Sequence, residues 1–275
     1  MTKVSLETLP CGIRYRHWAP DGEPKAAVVL VHGLGEHSGR YQHVAEAFIA
    51  RGFAVVAPDH MGHGESPGER VFVSHFDDYL AGVRECRQLI SSHYPERPCF
   101  ILGHSMGGLI TARLLLEDQA QYQGALFSGP AFAAGEPPPA PVMWIGRLLA
   151  KLLPRMGMLA LDGSGVSRDP KVVAAYEADP LVNHGKVTAG LGIAIFDAMD
   201  QVMNQAGTLR LPMLIMHGGA DTLAAPAGSE AFAERVTAED VSLQILPGLY
   251  HEIFNEPEGE GIVATYADWI EARLP

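Results

Sequence analysis

Three residues far apart in the chain, Ser105, Asp221 and His251, have the types and the order that nucleophilic catalysis needs. Ser105 lies in "FILGHSMGGLI" (100–110), between Gly103 and Gly107. A serine hydroxyl is a weak nucleophile until a base takes its proton, and that base needs an acid to orient it. A G-x-S-x-G where strand-like sequence becomes helix-like sets the serine on a sharp turn. Large residues two places to either side would clash there. The turn also leaves the next backbone N–H, that of Met106, at a helix N-terminus facing a developing oxyanion. In one order of such triads the acid and then the histidine follow the serine. Asp221, in "MHGGADTLAAP", comes just after a strand-like run. Beyond it only one of the twelve histidines remains, His251 in "LPGLYHEIF". Asp240 is the rival acid, but it precedes its strand and so falls at the opposite end of a sheet. Asp197 and Asp200 fall in a helical insertion.

Two further stretches bear on the chemistry. "VHGLGEHSGRY" (31–41) has the form HG-x-G. Its glycines let backbone N–H groups converge, which makes Leu34 the natural second oxyanion donor, with His32 bracing the loop. "PDHMGHGESPG" (58–68) sets His60 and His63 near Asp59. The stretch is glycine-rich loop, so it lacks the helical face of a metal pair. These side chains are expected to hydrogen-bond loops around a pocket. The chemistry calls for no metal and no cofactor.

These residues need a frame that holds them. "VSLQIL" (241–246) is strand-like, and "AAVVLVHG" (26–33), "FAVVAPD" (53–59), "CFILGH" (99–104), "GALFSG" (124–129) and "PMLIMHG" (212–218) are short apolar runs, three of them closed by glycine. Such runs indicate strands covered on both faces, as in a parallel sheet. Helical patterns lie between them. In residues 76–94, Phe76, Leu80, Val83, Arg87 and Ile90 recur at helical spacing, with Arg87 the one polar exception. The alternation implies an α/β sheet with right-handed crossovers. Asp221 and His251 then fall at carboxyl ends of strands, where sites in such sheets form. The alternation lapses between about 130 and 208. There "GEPPPAP" (135–141) reads as a stiff linker, followed by helices at 142–153, 170–178 and 186–205 with no obvious strand. Asp169 before Pro170 fits an N-cap followed by proline at the first helical position.

The whole chain agrees with that frame. Its 275 residues suit one large domain or a core with an insertion, and a hydrophobic share of 47% excludes general disorder. A formal net charge of −12, with no dense Lys/Arg block, excludes nucleic acid as a partner. The opening "MTKVSLETLP" has no apolar segment of a secretory signal, and no apolar run nears the ~20 residues of a spanning helix. Cys11, Cys86 and Cys99 are too few and too irregular for a disulfide framework or zinc site. They read as three buried small side chains in a reducing compartment, the cytoplasm.

The chain resembles the monoacylglycerol lipase and lysophospholipase-like members of the α/β-hydrolase fold. The resemblance runs over nearly its whole length. It rests on "HGLGEHSGRY", "DHMGHGESPGERVFVSHF", "LGHSMGG", "VSRDPKVVAAYEADPL", "HGGADTL" and "YHEIFNE". It implies a mostly parallel central sheet flanked by helices, with 1–130 and 208–275 as core and 131–207 as a helical cap. It implies a small lipid ester as substrate, and agrees with Ser105, Asp221 and His251 as triad and Leu34 and Met106 as oxyanion donors. It further implies that Glu36, Arg40 and Tyr176 shape a polar, glycerol-binding end of the pocket. The stretch 140–161 is apolar around most of its circumference. One face is expected to pack on the core and another to line an acyl tunnel, with Leu148, Leu149 and Leu152 touching substrate. An outer strip would meet a lipid interface, with Arg147 and Lys151 near anionic headgroups. A lysophospholipase or broad carboxylesterase is the alternative within this class. An aminopeptidase would need an acidic pocket for an amine, and the cap carries no glutamate cluster. A non-catalytic binding protein would be expected to lack a triad member.

Overall fold

The five apolar runs and the strand-like 241–246 lie side by side as parallel strands. In the computed structural model, which describes residues 3–136, 138–160 and 163–275, the chain begins with β1 (Lys3–Thr8), β2 (Arg14–Ala19) and β3 (Ala26–Val31). There follow α1 (Gln42–Ala50), β4 (Phe53–Pro58), α2 (Leu80–His93), β5 (Cys99–His104), α3 (Met106–Asp118) and β6 (Gly124–Ser128). Then come α4 (Ala140–Leu152), β7 (Gly157–Ala160), α5 (Pro170–Ala178), β8 (Lys186–Thr188) and α6 (Ala189–Gln205). The chain ends with β9 (Met213–Gly218), α7 (Pro226–Arg235), β10 (Val241–Leu246) and α8 (Gly259–Glu271). Met1 and Thr2 of the opening stretch, Pro137 of the linker and Leu161 at the end of the apolar stretch lie outside the described residues.

Eight strands form one sheet in the order β1-β2-β4-β3-β5-β6-β9-β10. Strands β4 to β10 of that series pair in parallel, while β1–β2 and β2–β4 are antiparallel. The central strands are apolar throughout because each face of the sheet is covered. Ala27, Val29 and Val31 of β3 join one core with Val83 and Ile90 of α2, Leu109 of α3 and Phe232 of α7. Val28 and Leu30 join the other, with Phe48 of α1 and Tyr266 and Ile270 of α8. Burying such a side chain stabilises by roughly 1.5–3 kcal/mol. The polar exception in α2 is accounted for. Arg87 donates to the Gln121 carbonyl at 2.8 Å and lies over the Tyr122 ring.

Between β6 and β9 the structure departs from the expected all-helical insertion. Residues 186–188 are strand β8, which pairs antiparallel with β7. Val187 and Thr188 are β-branched and suit a strand, and the Thr188 hydroxyl then caps α6 by accepting the Leu191 N–H at 3.3 Å. Asp169 caps α5, accepting the Lys171 N–H at 2.8 Å, with Pro170 following it. Helix α6 is no outlying element: Leu191, Ala198 and Val202 belong to the same core as α2 and α3. Of the cysteines, Cys86 and Cys99 are buried but Cys11 is exposed, and all three are free. That corrects the reading of three buried small side chains. Cys11 follows Pro10 in the turn between β1 and β2, two strands the sequence reading had not placed.

Candidate active site

Ser105 is the single residue between β5 and α3. Its backbone is held at φ 54° and ψ −122°, a conformation non-glycine residues rarely adopt. Neighbouring glycines permit that turn. A Cβ on Gly107 would stand 2.1 Å from the Val31 carbonyl oxygen, and one on Gly103 would stand 2.5 Å from that of Gly107. Helix α3 therefore starts hard against the end of β3, and its first residue, Met106, lines a cavity together with Ser105.

Asp221 follows β9 and His251 follows β10, as the strand pattern implied. His251 Nε2 lies 2.8 Å from Ser105 Oγ, and His251 Nδ1 lies 2.6 Å from Asp221 Oδ2. A carboxylate only accepts, so Nδ1 carries the proton and Nε2 is free to accept from the serine hydroxyl. Burial alone would lower the His251 pKa and raise that of Asp221. Their mutual attraction outweighs it: His251 stands above the ordinary histidine value, and Asp221 is held well below the usual carboxylate range. Burial, followed by the nearby His251, pushes His104 down to about 3, so it stands neutral beside them. Asp240 is elsewhere, paired with Arg273 at 2.7 Å.

The loop after β3 sits opposite the serine, and Leu34 lines the cavity with it. His32 braces this loop: its Nδ1–H donates to the Gly33 carbonyl at 2.8 Å and its Nε2 accepts the His60 N–H at 2.9 Å. Glu36 Oε1 accepts the Gly33 N–H at 2.7 Å and the Tyr41 hydroxyl at 2.7 Å. His60 and His63 hydrogen-bond the carbonyls of His32 and Met61 at 3.1 and 3.0 Å. Among the described residues no cluster of His, Cys, Asp and Glu is arranged to hold a metal ion.

The cavity measures about 740 Å³ and its wall is mostly apolar, with Met143, Ile193, Ile195, Phe196 and Met199 among its residues. Glu36 and Tyr176 line it, next to the serine and histidine in the same lining. Arg40 does not. It lies behind them, bonded to Glu36 and Glu252, with the Tyr176 ring 4.8 Å from its Cζ. Leu148, Leu149 and Leu152 are not in the cavity wall either; Val142, Met143 and Gly146 of the same helix are. Gly146 brings α4 close to Ile193 of α6 and so fixes the helix's rotation. Trp144, Leu148 and Leu152, four apart, then face outward at 68%, 44% and 65% exposure.

Two residues of the site escaped the sequence reading. His217 Nε2 lies 3.0 Å from Asp221 Oδ2 and 3.1 Å from the Ala224 carbonyl, both acceptors. It therefore carries a proton there, and Nδ1 accepts from Ser229 Oγ at 2.7 Å. Glu252 lines the cavity directly after His251. Burial opposes its ionisation, but Arg40 holds its pKa below the usual value. Both residues stand inside motifs already singled out, "MHGGAD" and "YHEIF". The pattern of polar residues flanking the triad members was the available signal.

A serine on a strand–helix turn, relayed through histidine to aspartate above a parallel sheet, defines a serine hydrolase of the α/β-hydrolase fold. The family described as "Serine aminopeptidase, S33" matches residues 22–258. The chain is 41% identical over 265 residues to the monoacylglycerol lipase of Mycolicibacterium smegmatis, covering 96% of this chain and 95% of that one. It is 34% identical over 263 residues to the monoglyceride lipase of Rattus norvegicus, covering 94% and 86%. The solved structure of Paleococcus ferrophilus monoacylglycerol lipase superposes with a TM-score of 0.82 at 33% identity, over 95% of this chain and 99% of that one. The chain belongs to the monoacylglycerol lipase family of serine hydrolases.

Proposed function

We propose that this chain cleaves monoacylglycerols to fatty acid and glycerol through an acyl-enzyme on Ser105. The observation that carries the reading is the Ser105–His251–Asp221 relay opening onto an apolar cavity with polar groups beside the histidine. His251 Nε2 takes the hydroxyl proton as Ser105 Oγ attacks the ester carbonyl. The N–H groups of Leu34 and Met106 hold the oxyanion. As the tetrahedral intermediate collapses, His251 gives the proton to the leaving glycerol oxygen. Water, deprotonated by the same nitrogen, then releases the fatty acid. Residues 131–207 act as the cap that supplies much of the acyl wall.

The family description names an aminopeptidase. The carboxylates such chemistry would use, Glu36 and Glu252, come from the core rather than the cap, and both are bonded to Arg40. An apolar cavity favours an acyl chain over a peptide. The outward stripe of Trp144, Leu148 and Leu152 supports shallow contact with a lipid surface. Arg147 contributes less there than its sequence suggested, since it pairs with Asp197 at 2.6 Å. Among the described residues no helix is long and apolar enough to cross a membrane. Free cysteines fit a reducing, cytoplasmic setting.

The test is a hydrolysis series in dispersed micelles with fluorophosphonate labelling. Wild type should label and prefer monooleoylglycerol to trioleoylglycerol. Ser105→Ala should stay folded, lose the label and lose at least ~10³-fold in turnover. Equal rates on the two glycerides, or labelling that survives in Ser105→Ala, would overturn the reading.

A further inference from the structure

Histidines aside, the ionisable side chains in the cavity wall are of one sign among the described residues. Among the described residues three glutamates line it, Glu36, Glu136 and Glu252, and no lysine or arginine does. Glu36 and Glu252 are 3% and 5% exposed and share the lining with Ser105 and His251. Glu136 is exposed. Arg40, which bonds the two inner glutamates, gives them three hydrogen bonds. Its Nη1 donates to Glu36 Oε2 at 2.8 Å and to Glu252 Oε1 at 2.6 Å, and its Nη2 donates to Glu252 Oε2 at 2.7 Å. The Tyr176 ring lies across its guanidinium at 4.8 Å. Two carboxylates against one guanidinium leave a net negative charge at the inner end. Asp221 adds another behind His251, and the neutral His104 offsets neither. Buried charges act through a low effective dielectric and are screened little by salt.

We infer that Glu252 makes the site selective for the charge of the head group, admitting esters with neutral heads and excluding those whose head carries a phosphate. The inference rests on the hydrolase reading above and narrows it. A monoacylglycerol and a lysophospholipid-type anion share acyl chain and ester; they differ in the charge brought to the inner end. A phosphate there meets carboxylates first. Arg40 cannot turn to it without taking the counter-charge from Glu36 or Glu252, both buried, which is a penalty built against the wrong ligand. Glu252, which also accepts from Asn255 Nδ2 at 2.7 Å, is assigned the discrimination because it directly follows His251 in the lining, whereas Glu36 also holds the Gly33 N–H of the loop after β3.

The experiment uses the full chain, neutral detergent micelles and three esters with one oleoyl chain each. These are monooleoylglycerol, the larger but neutral monooleoyl-diglycerol, and monooleoylglycerol phosphate. The phosphate ester should show a kcat/KM at least ~100-fold below that of the diglycerol ester. Glu252→Gln should narrow that ratio about tenfold, and the exposed Glu136→Gln should narrow it less. A phosphate ester cleaved as fast as the diglycerol ester overturns the inference. So does equal rejection of both larger heads, which makes the exclusion one of size. A folded Glu252→Gln with an unchanged ratio removes Glu252 from the role. Should that variant melt early, the wild-type comparison of the two larger heads still decides whether charge selects. Absence of both fluorophosphonate labelling and hydrolysis of every ester would instead remove the hydrolase reading beneath it.

Discussion

Asp221 holds its position through four hydrogen bonds: two backbone N–H groups on Oδ1, and His251 and His217 on Oδ2. His217 thus fixes the acid that fixes the base. Removing its N–H in His217→Leu leaves the carboxylate less compensated and freer to move. Its charge then favours the His251 imidazolium more strongly. Activity needs neutral His251, so kcat/KM rises with pH through the His251 pKa, which already lies above the ordinary 6.5. In His217→Leu that ascending limb should move to higher pH, and the plateau should fall on the order of 10-fold to 100-fold. His217→Gln, which keeps an N–H donor, should recover most of the loss. A limb that stays in place in a folded His217→Leu would reduce the histidine to packing. Ser105, Asp221 and His251 were legible because a glycine-framed serine and the order of acid and histidine leave few choices. His217 and Glu252 were not, because each acts through a contact fixed by how two strand ends meet. No spacing rule encodes that.

Elements were legible where burial is two-sided. Five of the six parallel strands read as apolar runs, the partly exposed β10 carries Ser242 and Gln244, and Asp169-Pro170 marked the start of α5. Strands β1 and β2 went unread because they form the antiparallel edge of the sheet, where "KVSLET" and "RYRHWA" mix polar and apolar residues. The rotation of α4 was also illegible. A helix apolar around most of its circumference, with only Arg147 and Lys151 charged, has little phase, so Leu148, Leu149 and Leu152 looked equal to Val142, Met143 and Gly146 as tunnel wall. The close approach at Gly146 breaks the tie. It follows that Trp144 and Leu148 contribute to surface rather than core. Trp144→Asp/Leu148→Asp should change the melting temperature little and keep activity on a soluble short-chain ester, while abolishing co-sedimentation with liposomes. A large loss of stability would place these side chains in the core, and no binding by wild type would end the lipid-surface reading.

At the scale of the molecule, the segment between β6 and β9 is attached unevenly. Its α5 side is tied to the core by polar contacts. His37 meets Asp179 at 2.9 Å, the Asn183 N–H donates to the Gly35 carbonyl at 2.7 Å, Arg168 pairs with Glu256 at 2.8 Å, and Arg40 lies against Tyr176. Helix α6 is tied by buried apolar residues, five of its seventeen. Helix α4 has one buried residue, Gly146, which offers no side chain to hold it. Local opening free energy follows buried apolar contact. The wall of the cavity that meets the outside should therefore open on its own, while the triad, the oxyanion loop and Tyr176 stay in place. That division suits an enzyme that must admit a long acyl chain without disturbing a relay whose bonds are 2.6 and 2.8 Å. Hydrogen exchange read by mass spectrometry tests it. Peptides covering 140–152 should exchange at least ~10-fold faster than those covering 189–205 and 170–178. Covalent occupation of Ser105 by a long-chain fluorophosphonate should slow the first set most, because α6, which also lines the cavity, is already held by buried residues. Equal protection of α4 and α6 in the free protein would mean that the segment moves as one body, and that admission of substrate requires breaking the polar ties on the α5 side as well.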